Sequence, residues 1–395
     1  MKKHKSSSPT KAKVSLVVSD FSSGGAIRAF LLGQVLKQLE YEVETVGFQF
    51  GEQLYAYPPE NIPIFSVPGD IYPQVWQSTR QLLAKIDGDI IYAVKPKPTS
   101  FGVSLLQKLM KRRPVILDMD DWELSWYGGD EWRYQPPSLK QFYRDLFKPN
   151  GALREPDHPL YVQWTEKLVR YADAVTIDTE FLQQRFGGTY LPNGKDTNLF
   201  NPHLYDAQAS REKYQLQGYR ILMFPGAPRA HKGVEDILMA LEQLNQPDLR
   251  LVIVGGSPYD DYDEQLQERW GQWIIQLPRC PVEKMPEIIA AAHVVVVPQR
   301  DTLTAMAQFP LKLTDGMAMA KPTISTRVGD IPEILGETGF LVEPNNPQQL
   351  AQTIEEIFNN WELAHSRGEQ ARARCVNNYS VATMAQTLSQ VLANI

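Results

Sequence analysis

Ile221-Leu-Met-Phe-Pro-Gly226-Ala-Pro-Arg229-Ala-His231-Lys232-Gly233 is an apolar run, a glycine-bounded polar loop and then a stretch whose apolar positions continue through Leu238 and Leu241. That order is strand, glycine loop, amphipathic helix. It has a counterpart near the N-terminus. There Val14-Ser-Leu-Val-Val18 gives way to Ser-Asp-Phe-Ser-Ser-Gly24-Gly25, and Ile27, Phe30, Leu31, Val35 and Leu39 follow at helical spacing. Asp89–Val94 and Pro114–Asp118 continue the first series; Leu251–Val254, Val294–Val297 and Thr323–Thr326 continue the second. Strands alternating with helices predict parallel sheets covered on both faces. Two such series predict two similar α/β domains in tandem.

The chain has 395 residues, more than one ordinary core accommodates. Leu191-Pro-Asn-Gly-Lys-Asp-Thr-Asn-Leu-Phe200-Asn-Pro202 is dense in residues that break regular structure and marks the hinge. The expected domains are therefore residues 13–195 and 196–379, with a helical tail over 380–395. Residues 1–12 read as a disordered basic tail; five lysines in the first 13 positions add weak attraction to an anionic membrane surface. The least patterned stretch is 122–161, where aromatic, proline and glycine residues alternate.

Composition narrows the function. A formal charge of −6 argues against a nucleic-acid partner, and two lone cysteines, Cys280 and Cys375, against a disulfide scaffold or a CxxC metal site. The apolar run Ile288–Val297, interrupted by His293, is about half the ~20 residues that span a bilayer, so no transmembrane segment is expected. No apolar stretch follows the first lysines as in a signal peptide, and the chain reads as cytoplasmic. Neither glycine loop completes GxGxxG, and no GxSxG elbow occurs.

Certain residues carry candidate chemistry. Arg229 and Lys232, with His231 between them, flank a loop that opens a helix, a setting that favours phosphate. Gly24 and Gly25 let backbone approach a phosphate or sugar closely. Asp118-Met-Asp120-Asp121-Trp122 ends a strand, where α/β sheets bind ligands. One of the three carboxylates would orient an acceptor hydroxyl, with Trp122 stacking on a sugar, or Asp118 or Asp121 would cap the next segment. A DxD string also holds divalent metals in other architectures, and the metal-free reading is preferred here. Lys95 and Lys97 follow another strand and would meet an anionic acceptor or stay solvated.

The ordered strings Gly24-Gly25, LPNGKDTNLFNP, GAPRAHKG, LVIVGG, DGMAMAKPTI, GDIPEIL and GETGFLVEP together resemble the retaining glycosyltransferases of family 4, the glycosyl transferases group 1 of GT-B fold. The resemblance implies two Rossmann-like domains facing a cleft and closing about the hinge, with the last helix crossing back to the first domain. It implies transfer, with retention and without a metal or cofactor, from a UDP- or GDP-sugar to a glycan, lipid or small-molecule hydroxyl. Donor contacts are then Gly24, Gly25, Gly226, Arg229, His231, Lys232, Lys312 and Asp315. Acceptor contacts are Asp118, Asp121, Trp122 and Lys95, and the catalytic set is Arg229, Lys232 and Asp120. Two departures stand out. The family's arginine after the first loop glycine is Ala227 here, so Arg229 is a displaced candidate. The family's two donor glutamates align with Ala307 and Asp315, which leaves Thr304, Gln308 or Asp301 to replace the first, or a different grip on the donor. An epimerase of the same fold and a silent sugar-nucleotide-binding protein are the alternatives.

Overall fold

Among the residues described by the computed structural model, 12–395 except 57, 258 and 259, thirteen strands form two wholly parallel sheets. The expected basic tail lies, except for its last residue, outside these. The first sheet contains β1 (Lys13–Val18), β2 (Glu42–Gln49), β3 (Ile64–Pro68), β4 (Ile90–Val94), β5 (Val115–Met119), β6 (Ala174–Ile177) and β7 (Thr189–Tyr190), in the order β3-β2-β1-β4-β5-β6-β7. The second contains β8 (Arg220–Phe224), β9 (Leu249–Val254), β10 (Ile274–Leu277), β11 (Val294–Val297), β12 (Thr323–Thr326) and β13 (Phe340–Val342), in the order β10-β9-β8-β11-β12-β13. Each order reverses beside its first strand, between β1 and β4 and between β8 and β11. A crevice opens beyond the carboxyl ends of strands at such a reversal.

Contacts divide the chain into two units. One runs to Asp178 and includes Leu182–Leu191 and Ala385–Ile395; the other is Thr179–Phe181 with Pro192–Met384. The main break thus follows Leu191, and the return falls after Met384, inside the last helix (Val381–Leu392).

Burial on both faces explains why the second sheet reads as continuous apolar runs. Ile221 and Met223 of β8 join one core with Val295 and Val297, whereas Leu222 and Phe224 join the other with Val294 and Val296. Pleating sends successive side chains to opposite faces, and neither face meets water. His293, half-buried at the entrance to β11, accepts the Ile221 N–H at Nδ1 (3.0 Å). The unpatterned stretch contains short helical turns at Glu123–Tyr127 and Gly129–Glu131 and helices at Leu139–Phe147 and Pro159–Glu166.

A buried ion pair organises the first unit. Arg28, on the helix Gly25–Gln38, donates through Nε and Nη2 to the two carboxylate oxygens of Asp118 on β5 (2.8 and 2.9 Å). Its Nη2 also reaches the Leu191 carbonyl (2.8 Å). Thr176 Oγ1 of β6 donates to Asp118 Oδ2 (2.6 Å) and shares a hydrogen bond with the Tyr92 hydroxyl of β4 (2.7 Å). Burial works against the Arg28 charge, and Asp118 outweighs it, so the guanidinium pKa is raised. Removing one partner strands the other charge in the core. Arg28→Met should therefore destabilise the protein by about 3–5 kcal/mol in urea unfolding, and Arg28→Met/Asp118→Leu should recover most of that loss. Equal losses in the single and double variants would contradict this role for the pair.

Candidate functional site

The loop after β8 is a small cationic basin. Gly226 has φ 150°, a conformation that side chains rarely adopt, and Lys312 crosses the loop so closely that a Cβ there would lie 2.4 Å from its Cε. A tight turn at Ala230–Lys232 follows, closed by the Arg300 N–H donating to the His231 carbonyl (3.0 Å). Gly233, at φ 61°, then starts the helix Val234–Leu244, and a Cβ there would stand 2.6 Å from the Pro298 carbonyl oxygen. Glu235 and Asp236 in that helix's first turn are paired with Arg300 (2.5 and 3.4 Å).

The basin's electrostatics are those of like charges held together. The Lys312 charge, then burial, pushes the Lys232 pKa well below the ordinary lysine value, with Arg229 adding to the effect. Lys312 is lowered as well, first by burial and further by Arg229 and Lys195, against the charge of Asp315. His231 is lowered to about 4 by burial, then by Lys232, Arg229 and Lys312. An anion with several oxygens relieves all of these at once. Arg229, His231, Lys232, Lys312 and Gly226 thus stand together around this loop.

Asp315 sits on the helix Leu311–Ala318, and its Oδ1 accepts from Lys195 of the hinge string. Sequence reasoning missed Lys195. Its backbone is bonded to Tyr379 and Val381 (2.7 and 3.0 Å), and its ammonium lies over the Phe200 ring (4.4 Å). The only available signal was a lysine inside the breaker string, beside Asp196. Ala307 is fully buried and reaches no ligand; near it, Thr304 is buried, Gln308 half-buried and Asp301 exposed.

The first unit corrects several expectations. Asp118 is wholly buried and engaged by Arg28 and Thr176, so it is neither an acceptor contact nor half of a metal-binding DxD pair. Trp122 is buried with the Arg185 guanidinium 4.0 Å above its ring, which occupies the face meant for a sugar. Gly24 and Gly25 have no left-handed turn between them: Gly24 is helical (φ −61°) and Gly25 opens the helix, with Lys95 passing so close that a Cβ would stand 3.3 Å from its Cε. Lys95 does not present a free cation to an anion. Its ammonium is 2.6 Å from Glu123, 3.6 Å from Asp121 and 3.8 Å from Asp120, and Glu123 also binds Lys97 (2.9 Å).

What remains at the ends of β4, β5 and β6 is a carboxyl-rich site. Burial, against Lys95, raises the Asp120 pKa, and Asp120 Oδ1 is buried without a hydrogen-bond partner. Burial, with Asp120, Asp118 and Asp121 outweighing Arg28, raises Asp178 well above the ordinary value. The Asp121 carboxylate accepts from Trp126 Nε1 (3.2 Å). Carboxyls in this state can hold or exchange the proton of a hydroxyl.

Known proteins resemble this chain in sequence and in fold. Residues 219–360, most of the second unit, match the family model described as "Glycosyl transferases group 1". An uncharacterized glycosyltransferase of Methanocaldococcus jannaschii is 30% identical over 46% of this chain and 51% of its own. A GDP-mannose-dependent α-(1-6)-phosphatidylinositol monomannoside mannosyltransferase of Mycolicibacterium smegmatis is 24% identical over 56% of this chain and 62% of its own. The chain therefore spans roughly half to three fifths of the length of these relatives. The structure of Anabaena HepE in complex with UDP-glucose superposes with a TM-score of 0.73 at 17% identity, covering 97% of this chain and all of that one. That likeness defines the fold, which is GT-B.

The depressed His231 has a measurable consequence. Its pKa is about 4 in the folded protein against an ordinary value of about 6.5, so its contribution to stability is complete above about pH 6.5 and is lost as pH falls toward 4. His231→Gln should flatten the pH dependence of unfolding in that window. An unchanged slope would mean that His231 is not held neutral.

Proposed function

We propose that this protein is a group 1 glycosyltransferase that moves a sugar from a nucleoside-diphosphate sugar to an acceptor hydroxyl. The convergence of Lys232 and Lys312 at the head of the second sheet carries this reading. A diphosphate leaving group gains negative charge as the glycosidic bond breaks, and Lys232, Lys312 and Arg229 supply positive charge where it develops. The ammonium groups give the compensation that a divalent ion gives elsewhere, so the reaction proceeds without one. Asp315, oriented by Lys195, reads the ribose diol of the nucleoside. In the first unit Asp120 and Asp121 orient the acceptor hydroxyl, and the departing diphosphate takes its proton, with retention as in family 4.

The relatives named above support a UDP- or GDP-sugar as donor and a sugar, glycan or lipid as acceptor. No helix among the described residues is long and apolar enough to cross a membrane. We place the enzyme in the cytoplasm, peripheral at the membrane's inner face, with no nucleic-acid partner. Ala307, buried where the family places a donor glutamate, favours a second reading in which the protein binds a sugar nucleotide without turnover. Labelled nucleotide sugars with and without added acceptor separate the readings. Transfer that survives EDTA supports the enzyme, an isomerised donor indicates an epimerase, and binding alone indicates the silent protein.

Two sets of variants test the site itself. Lys232→Met should weaken nucleoside diphosphate and inorganic pyrophosphate alike, by tenfold or more, a loss of about 1.4 kcal/mol. Because it relieves repulsion, it should also raise the Tm of the ligand-free protein by about 2–4 °C. Asp315→Asn and Lys195→Met should weaken nucleoside diphosphate much more than pyrophosphate. Unchanged affinity in titration calorimetry for Lys232→Met, or equal losses of both ligands for the Asp315 and Lys195 variants, would reject the assignments.

A further inference from the structure

The stretch between β5 and β6 contains a helix that buries its polar side and exposes its apolar one. In Leu139–Phe147 the inward face is carried by Asp145, which is buried and accepts from the Tyr134 hydroxyl (2.8 Å) and from Gln141 Nε2 (2.7 Å). Ser138 caps the N-terminus through its hydroxyl, which accepts the Gln141 N–H (3.1 Å). The helix is therefore fixed in orientation. Leu139, Tyr143 and Phe147, four residues apart, form one outward row and are 78%, 58% and 67% exposed. The rings of Tyr143 and Phe147 stack on each other at 6.0 Å. Lys140, Arg144 and Lys148 form the adjacent row and are all exposed.

We propose that this face docks the first unit onto an anionic lipid bilayer. Aliphatic and aromatic side chains beside a row of cations are what a helix lying in the headgroup layer presents: the apolar row enters the acyl boundary and the cations meet lipid phosphates. The chain as a whole carries a formal charge of −6, so an anionic surface repels it except where cations gather, as they do along this helix. A second copy of the chain fits poorly. One nine-residue helix offers far less than the about 800 Å² per partner of a stable interface, and a two-fold contact would set the three cations against their own copies. The proposal does not depend on the donor site.

Co-sedimentation of the full chain with vesicles of phosphatidylcholine, alone or mixed with phosphatidylglycerol, tests it. The wild type should pellet with the mixed vesicles only, and less at high salt. Tyr143→Ser/Phe147→Ser and Lys140→Gln/Arg144→Gln/Lys148→Gln should each reduce pelleting at least about fivefold with Tm unchanged, because these side chains are exposed. Deleting residues 2–11 should leave most of the binding. Wild-type pelleting by both helix variants, binding lost only with the tail, equal binding to pure phosphatidylcholine, or dissociation of an oligomer by the apolar variant without effect on vesicles would each overturn the proposal.

Discussion

Two buried lysines whose charges act on each other, Lys232 and Lys312, are the constraint to which the second unit is built. Like charges brought together away from water repel each other. A fold tolerates such a cost when the repulsion is removed by something it binds. Surrounding details sustain the arrangement. Gly226 leaves room for Lys312 to cross the loop, the Pro298 carbonyl excludes any side chain at Gly233, and Arg300 neutralises Glu235 and Asp236, which would otherwise draw the cations away. The strain is electrostatic and local, and the apolar β8 and β11 on either side of the reversal hold it in place.

The first unit treats charge in the opposite way. Its buried arginine is matched to a carboxylate by two hydrogen bonds, and Lys95 is surrounded by Asp120, Asp121 and Glu123. Glu123 gains most: burial opposes its ionisation, yet Lys95 and Lys97 lower its pKa to about 2. Asp120 and Asp178 are left with raised values, so the charge at this sheet edge is poised for hydroxyl chemistry rather than for gripping an anion.

The sheets were legible where burial on both faces writes uninterrupted apolar runs, as at Ile221–Phe224 and Val294–Val297. Strand β2 was not, because Glu-Val-Glu-Thr-Val-Gly-Phe-Gln hides a buried acid: Glu44 bonds the Ser15 hydroxyl (2.5 Å) and the Lys13 ammonium (2.7 Å). The cationic loop could be read because its residues lie together in sequence. Arg28 with Asp118 and Lys195 with Asp315 could not, since each pair meets across 90 or 120 residues and no local pattern records the partner. The same blindness made Trp122 look like a sugar platform, because nothing near it in sequence announces Arg185.

The most direct test of the central claim is a lysine titration by NMR, observing Cε and Nζ of Lys232 and Lys312 in the protein with and without a nucleoside diphosphate. The account predicts that both titrate below the ordinary lysine range in the free protein, Lys232 the lower, and that both rise when the diphosphate binds. Ordinary values unmoved by the ligand would mean that the two ammonium groups neither confront each other nor hold an anion, and the assignment of the site would fall with them.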